Sequence, residues 1–160
     1  MTNFLKYPKI FLIGHDDNKE AFLDKTDIIH IEEKFDGANF RFMVKDGKII
    51  FGSRTQSIGD SNQEIGGNWK RCVEFIKDKH QQIPFPEGYL YFGECCVKHS
   101  MNYDWERVPP FMGFDIYSFK ENKFIPLRKK LVYIKNTICL LSNILIQSQL
   151  KNYNKNILYL

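Results

Sequence analysis

After Glu121 the sequence holds no aspartate, no glutamate and no glycine. Nowhere does it carry a Cys-x-x-Cys pair. Its four cysteines are Cys72, Cys95, Cys96 and Cys139, and the adjacent pair makes a poor zinc clamp or mutual disulfide. That spacing argues against a structural metal and predicts buried, reduced thiols, as in a cytoplasmic protein. Residues 1–9 lack the long apolar core of a signal peptide. The neutral stretch 136–150 is too short and too polar for a membrane span, so no membrane partner is expected. The missing acids also explain the net charge of +4. Residues 1–121 hold 16 Lys or Arg against 19 Asp or Glu, a net −3, while the last 39 residues hold seven Lys or Arg and reach +7. The basic balance belongs to the tail and gives little support for a nucleic-acid groove on the preceding part.

What is present suffices for one domain. Of 160 residues, 43% are hydrophobic and 15% aromatic, including 14 Phe. Residues 27–31 read as a strand feeding Lys34. Residues 39–44 and 49–51 flank Asp46-Gly47, a strong hairpin signal. A small, polar stretch at 57–67 reads as loop. Trp69, Cys72, Val73 and Ile76 recur at helical spacing, which predicts an amphipathic helix over 68–80, ended by Pro84 and Pro86. Residues 89–92, with Gly93-Glu94 at their end, and residues 111–118 read as strands, and 99–110 as loop. In the tail, Ile138, Leu141, Ile144 and Leu145 are spaced as on a helix. The change in composition predicts a division into residues 1–121 and a divergent basic tail, 122–160, helical or translated out of the ancestral frame.

Chemistry concentrates around Glu32-Glu33-Lys34-Phe35-Asp36-Gly37-Ala38-Asn39-Phe40. A lysine between strand-like apolar residues and an Asp-Gly turn is held in place and partly desolvated, conditions that turn an ammonium into a nucleophile. Three further islands share the chain: Phe51-Gly52-Ser53-Arg54-Thr55, Tyr91-Phe92-Gly93-Glu94 and Phe111-Met112-Gly113-Phe114-Asp115-Ile116-Tyr117. Taken singly, each residue has an ordinary account. Arg54 reads as a solvated charge, Glu94 as a strand-end acid, Phe114 as core, Asn39 as a turn residue, His99 as a loop hydrogen-bonding residue, and Tyr103 and Trp105 as packing.

Together and in this order the four islands resemble motifs I, Ia, III and IIIa of the covalent nucleotidyltransferases, and most closely those of ATP-dependent RNA ligases. Gly37-Ala38-Asn39 is similar to the Gly-x-Asn that ends motif I of those ligases, and Ser53-Arg54 to their motif Ia. The segment from His99 to Tyr103 also resembles a His-x-x-x-Tyr stretch of some of them. The resemblance covers residues 7–117. It implies an α+β fold, a mostly antiparallel nucleotide-binding sheet with flanking helices (the ATP-grasp-like adenylation domain of ligases, incomplete). It implies that Lys34 attacks the α-phosphate of ATP to give lysyl-AMP, with Mg2+ on the triphosphate. The ATP-binding set it implies is Glu33, Asp36, Gly37, Asn39, Arg54, Glu94 and Phe114. Asn39 would face ribose or phosphate, Arg54 phosphate or ribose oxygens, and Glu94 the ribose hydroxyls, while adenine stacks on Phe114. The partners implied are RNA ends, with DNA or hybrid duplexes as alternatives.

Two departures qualify the resemblance. Asp36 stands where many phage-type RNA ligases have histidine. Neither the Glu-Gly-x-Val-x-Lys of motif IV nor the Lys-x-Lys of motif V follows Tyr117. The expectation is therefore a chain truncated after motif IIIa, weak or inactive in ligation. The alternatives are an ATP-dependent DNA ligase adenylation domain and a non-catalytic remnant that binds nucleotide or nucleic acid.

Overall fold

The computed structural model describes residues 4–12, 15–19, 28–32, 34–97, 103–126 and 144–149. The strands are β1 (Ile28–Glu32), β2 (Ala38–Lys45), β3 (Lys48–Ser53), β4 (Ser57–Asp60), β5 (Tyr89–Cys95), β6 (Phe111–Ser118), β7 (Lys123–Phe124) and β8 (Ile144–Gln149). The α-helix among the described residues, α1 (Lys70–Gln82), lies between β4 and β5. The chain divides into two compact units: Met1–Lys6 with Phe35–Leu141, and Tyr7–Lys34 with Ser142–Leu160.

In the first unit the strands form one antiparallel sheet in the order β4-β3-β2-β5-β6-β7. The β2–β3 hairpin closes where the sequence predicts. Asp46 and Gly47 both have positive φ, 51° and 70°, the two-residue turn whose twist suits a hairpin. Side chains alternate between faces, and the two faces of β2 bury different chemistry. Phe40, Phe42 and Val44 join Phe51, Tyr91, Phe111 and Ile116 in the main core. Ring contacts knit it together, with Phe42 stacked on Tyr91 at 4.8 Å and meeting Phe111 edge-on at 5.6 Å. Helix α1 covers this face with Cys72, Val73 and Ile76, all buried. A tight turn, Gly67–Trp69, starts it. Just past its end, the Phe85 N–H donates to Nδ1 of His80 in its last turn at 3.0 Å.

The residues predicted as loop at 57–67 include an edge strand, β4, which pairs with β3 through a bulge. Its Ser-Ile-Gly-Asp sequence has no strand preference of its own, and the exposed edge of β3 recruits it. In the second unit, β1 pairs antiparallel with β8, Ile28 opposite Gln149 through Ile31 opposite Ile146. The helical expectation is corrected there: residues 144–149 are strand. The β-branched Ile144 and Ile146 suit a pleated ladder, and pairing with β1 overrides the helical spacing. Ile138, Leu141, Cys139 and His99 lie outside the described residues.

Candidate nucleotide site

On the sheet face opposite α1, register brings distant residues side by side. Asn39 on β2 stands directly across from Glu94 on β5, and Glu94 across from Met112 on β6. One alternate step along β2, Arg41 stands between Gly52 of β3 and Phe92 of β5. Asn39 and Glu94 are half-buried, within reach of a ligand yet shielded from bulk water. Asn39 Oδ1 is buried and has no hydrogen-bond partner among the described residues, an acceptor that folding leaves to be satisfied by something else.

Gly37 brings the short turn that leads into β2 onto this pair. A Cβ at position 37 would lie 2.8 Å from the Cys95 carbonyl oxygen and 3.1 Å from Glu94 Cβ. The turn thus rests against β5 at a distance that only glycine permits. A second fastening comes from Tyr103, whose hydroxyl accepts the Asp36 N–H at 3.0 Å and whose ring stacks on Phe35 at 5.1 Å. Phe35, Tyr103 and Trp105 pack with Cys96, Val108 and Met112 in a small apolar cluster. Packing, the ordinary account of Tyr103 and Trp105, holds, and Tyr103 adds a hydrogen bond to the motif.

Arg54 projects from the turn between β3 and β4. Ser53 and Gln56 tie that turn by Ser53 N–H to Gln56 O at 2.8 Å and Gln56 N–H to Ser53 Oγ at 3.2 Å. Ser53 builds the turn, and Arg54 is left exposed, with no ion pair among the described residues. Phe114 owes its place to a β-bulge. Phe92 faces Asp115 and Gly93 faces Gly113, so Phe114 is the extra residue of β6. Bulges re-aim side chains, and Phe114 is half-buried and outside the α1-side core.

These motifs, on this sheet, match the RNA ligase family model over residues 27–156. The chain belongs to the RNA ligase family. The match runs well past Glu121, through the basic tail. Over an alignment of 92 positions that takes in 55% of this chain and 15% of the other, the sequence is 30% identical to Protein Early 65 kDa of Autographa californica nuclear polyhedrosis virus. Among solved structures, a point mutant of Naegleria gruberi RNA ligase with ATP and Mn aligns over 97% of this chain and 47% of its own, at a TM-score of 0.68 and 15% identity. A second point mutant of that ligase, with AMP and Mn, aligns over 97% and 46%, at 0.66 and 17%. At such identities the likeness establishes the fold. This chain spans about half the length of those ligase chains.

Within this RNA ligase-family sheet, then, the structure gathers Gly37, Asn39 and Glu94. It fastens Asp36 beside them and sets Arg54 and Phe114 on a turn and a bulge of the same sheet. The expected partial desolvation of Lys34 is corrected: the residue is exposed, at the end of a segment of the second unit, the chain passing between units at Lys34–Phe35. Glu33 lies outside the described residues. Two residues escaped sequence reasoning. Tyr103 was legible only as packing, because its hydrogen bond spans 67 positions. Arg41 reads as one polar letter in an alternating strand, yet it is 3% exposed. Burial pulls its guanidinium below its ordinary pKa, and burying an ion costs on the order of several kcal/mol.

The residues present fit a nucleotide: an orphan amide oxygen, a half-buried carboxylate, an exposed guanidinium and an aromatic ring on one sheet. Among the described residues no three His, Cys, Asp or Glu gather to hold a metal.

Proposed function

We propose that this chain is the nucleotide-transfer part of an ATP-dependent RNA ligase, in which Lys34 takes up AMP. The observation that carries the reading is the Asn39–Glu94 pair across β2 and β5, with Gly37 pressed against it. Motif I and motif III lie far apart in sequence, and their meeting on one face is what a shared ligand requires.

In this reading the neutral Lys34 Nζ attacks the α-phosphorus of ATP. A P–N bond forms, the bond from the α-phosphorus to the bridging oxygen breaks, and pyrophosphate leaves with that oxygen while the amine gives up its proton. Asp36 and Gly37 set the turn that presents the lysine, with Glu33 flanking it. Asn39 turns its unsatisfied amide oxygen to a ribose hydroxyl or other ligand donor. Glu94 accepts from ribose hydroxyls, and Arg54 holds phosphate or ribose oxygens with its planar fork. Phe114 gives adenine a stacking face, worth roughly 1–3 kcal/mol on other base platforms. A divalent ion, Mg2+ in the cell, would arrive on the triphosphate and offset its charge. The polynucleotide is an RNA end, and the compartment the cytoplasm, a location supported by the free, buried thiols of Cys72, Cys95 and Cys96. Among the described residues no helix is long and apolar enough to cross a membrane.

The test is incubation with α-32P-ATP and Mg2+ or Mn2+, followed by a denaturing gel. Covalent label is expected on the unaltered chain and absent from Lys34→Ala. No label with either metal, or full label on Lys34→Ala, overturns the reading. Labelled enzyme offered nicked RNA, DNA and hybrid duplexes then identifies the polynucleotide by which one discharges the AMP.

A further inference from the structure

Two side-chain atoms on the ligand face of β2 are buried without a hydrogen-bond partner among the described residues: Asn39 Oδ1 and Arg41 Nε. They belong to residues two apart on one strand, about 7 Å at the usual rise. The first is an acceptor awaiting a donor, and the second a charged donor awaiting an acceptor. Among the described residues no carboxylate pairs with Arg41. Its described contacts are Nη1 donating to Leu5 O at 2.7 Å and the Phe4 ring 5.0 Å from the guanidinium carbon. Across from it on β3, position 52 carries no side chain, and a Cβ there would lie 3.2 Å from Nε and 3.2 Å from the Gln56 carbonyl oxygen, so glycine lets the strand pack directly on the guanidinium edge.

A backbone carbonyl needs no cation as its donor, and a buried guanidinium held for that purpose alone is a poor bargain, its desolvation uncompensated by any countercharge. The cover over it is thin. Leu5 is 38% exposed, and the Nε edge of the fork is not the one Leu5 takes. An anion with two or more oxygens suits that edge, since guanidinium binds such groups with paired N–H donors.

We infer that Arg41 is a phosphate-contact residue of the nucleotide site, its Nε completed by a phosphate oxygen of the bound ligand when residues 4–6 shift aside. This rests on the nucleotide reading above and adds to it a residue outside the four motifs. The phosphate belongs either to ATP or to the 5′-phosphate end of a polynucleotide.

The experiment measures calorimetric binding of ATP, adenosine and a 5′-phosphorylated RNA oligonucleotide to the full chain, as unaltered protein, Arg41→Met and Arg41→Lys, with a thermal melt of each. Arg41→Met is expected to melt no lower than the unaltered protein, to bind ATP about tenfold or more weakly, and to keep its affinity for adenosine. A loss confined to the oligonucleotide assigns the phosphate to the polynucleotide end and equally supports the role. If Arg41→Met does not fold, Arg41→Lys decides, because it keeps the charge and lacks the Nε donor: weakened phosphate binding supports the role and unchanged binding overturns it. A folded Arg41→Met that binds both phosphate ligands as the unaltered protein does overturns it too, leaving Arg41 as a clamp for residues 4–6. Failure of the unaltered protein to bind either ATP or adenosine strikes the nucleotide reading itself, and this proposal falls with it.

Discussion

Replacing Gly37 by alanine adds one methyl group, and the structure says where it goes. The new carbon would lie 2.8 Å from the Cys95 carbonyl oxygen and 3.1 Å from Glu94 Cβ. The closer neighbour is backbone of a central strand and cannot rotate away, so the turn must lift from β5 by a few tenths of an ångström. Overpacking of this kind costs about 1–3 kcal/mol. For a chain of this length that lowers the melting temperature by about 3–10 °C. The larger effect falls on chemistry. A misplacement near 1 Å can cost about a hundredfold in rate, so a smaller lift of the Asp36–Gly37 turn should, on the proposed reading, slow AMP labelling about tenfold. Gly47→Ala is the control. Gly47 has φ +70° and nothing within 4 Å of its would-be Cβ, so alanine there costs about 1–2 kcal/mol of left-handed backbone strain and leaves labelling unchanged. The readouts are a thermal melt and the time course of α-32P-ATP labelling for both variants. Labelling of Gly37→Ala at the rate of the unaltered chain, or equal slowing in Gly47→Ala, would refute the claim that close approach to β5 positions the turn.

Tyr103→Phe keeps the stack on Phe35 and removes the acceptor for the Asp36 N–H. Slower labelling at saturating ATP, with little change in ATP affinity, is expected from pre-steady-state kinetics and an equilibrium titration. A pure loss of affinity would contradict a positioning role. Burial pushes the Cys96 thiol from its ordinary value near 9 up to about 12. The folded chain therefore holds that proton where the unfolded chain has released it. This contribution to stability is full below pH 9 and is lost as pH rises from about 9 to 12. Denaturant melts across that range should show a shallower fall for Cys96→Ala than for the unaltered chain, and parallel curves would count against the shift.

How much of this was legible beforehand depends on the range of the interaction. The β2–β3 hairpin was plain because Asp46 and Gly47 carry their own turn chemistry. Strand β6 was read to the residue, and α1 to within two, because apolar spacing announces both. Strand β4 was missed because its pairing comes from the open edge of β3, and residues 144–149 were misread because short apolar runs fit either period. The four motif islands named most of the site residues. Their geometry was hidden. Asn39 facing Glu94, the bulge that sets Phe114 apart and the burial of Arg41 all depend on the register between strands remote in sequence, which no local pattern encodes.

That remoteness has a kinetic side. The hairpin of β2 and β3 closes over two residues, while Asn39 meets Glu94 across 55 positions. Long-range strand pairing carries its loop-closure entropy before any contact rewards it. During synthesis the hairpin can zip while still near the ribosome, but no pocket exists until β5 has emerged and docked, with β6 behind it. Nucleotide should therefore report on the last stage of folding, protecting the chain from proteolysis only after that docking is complete.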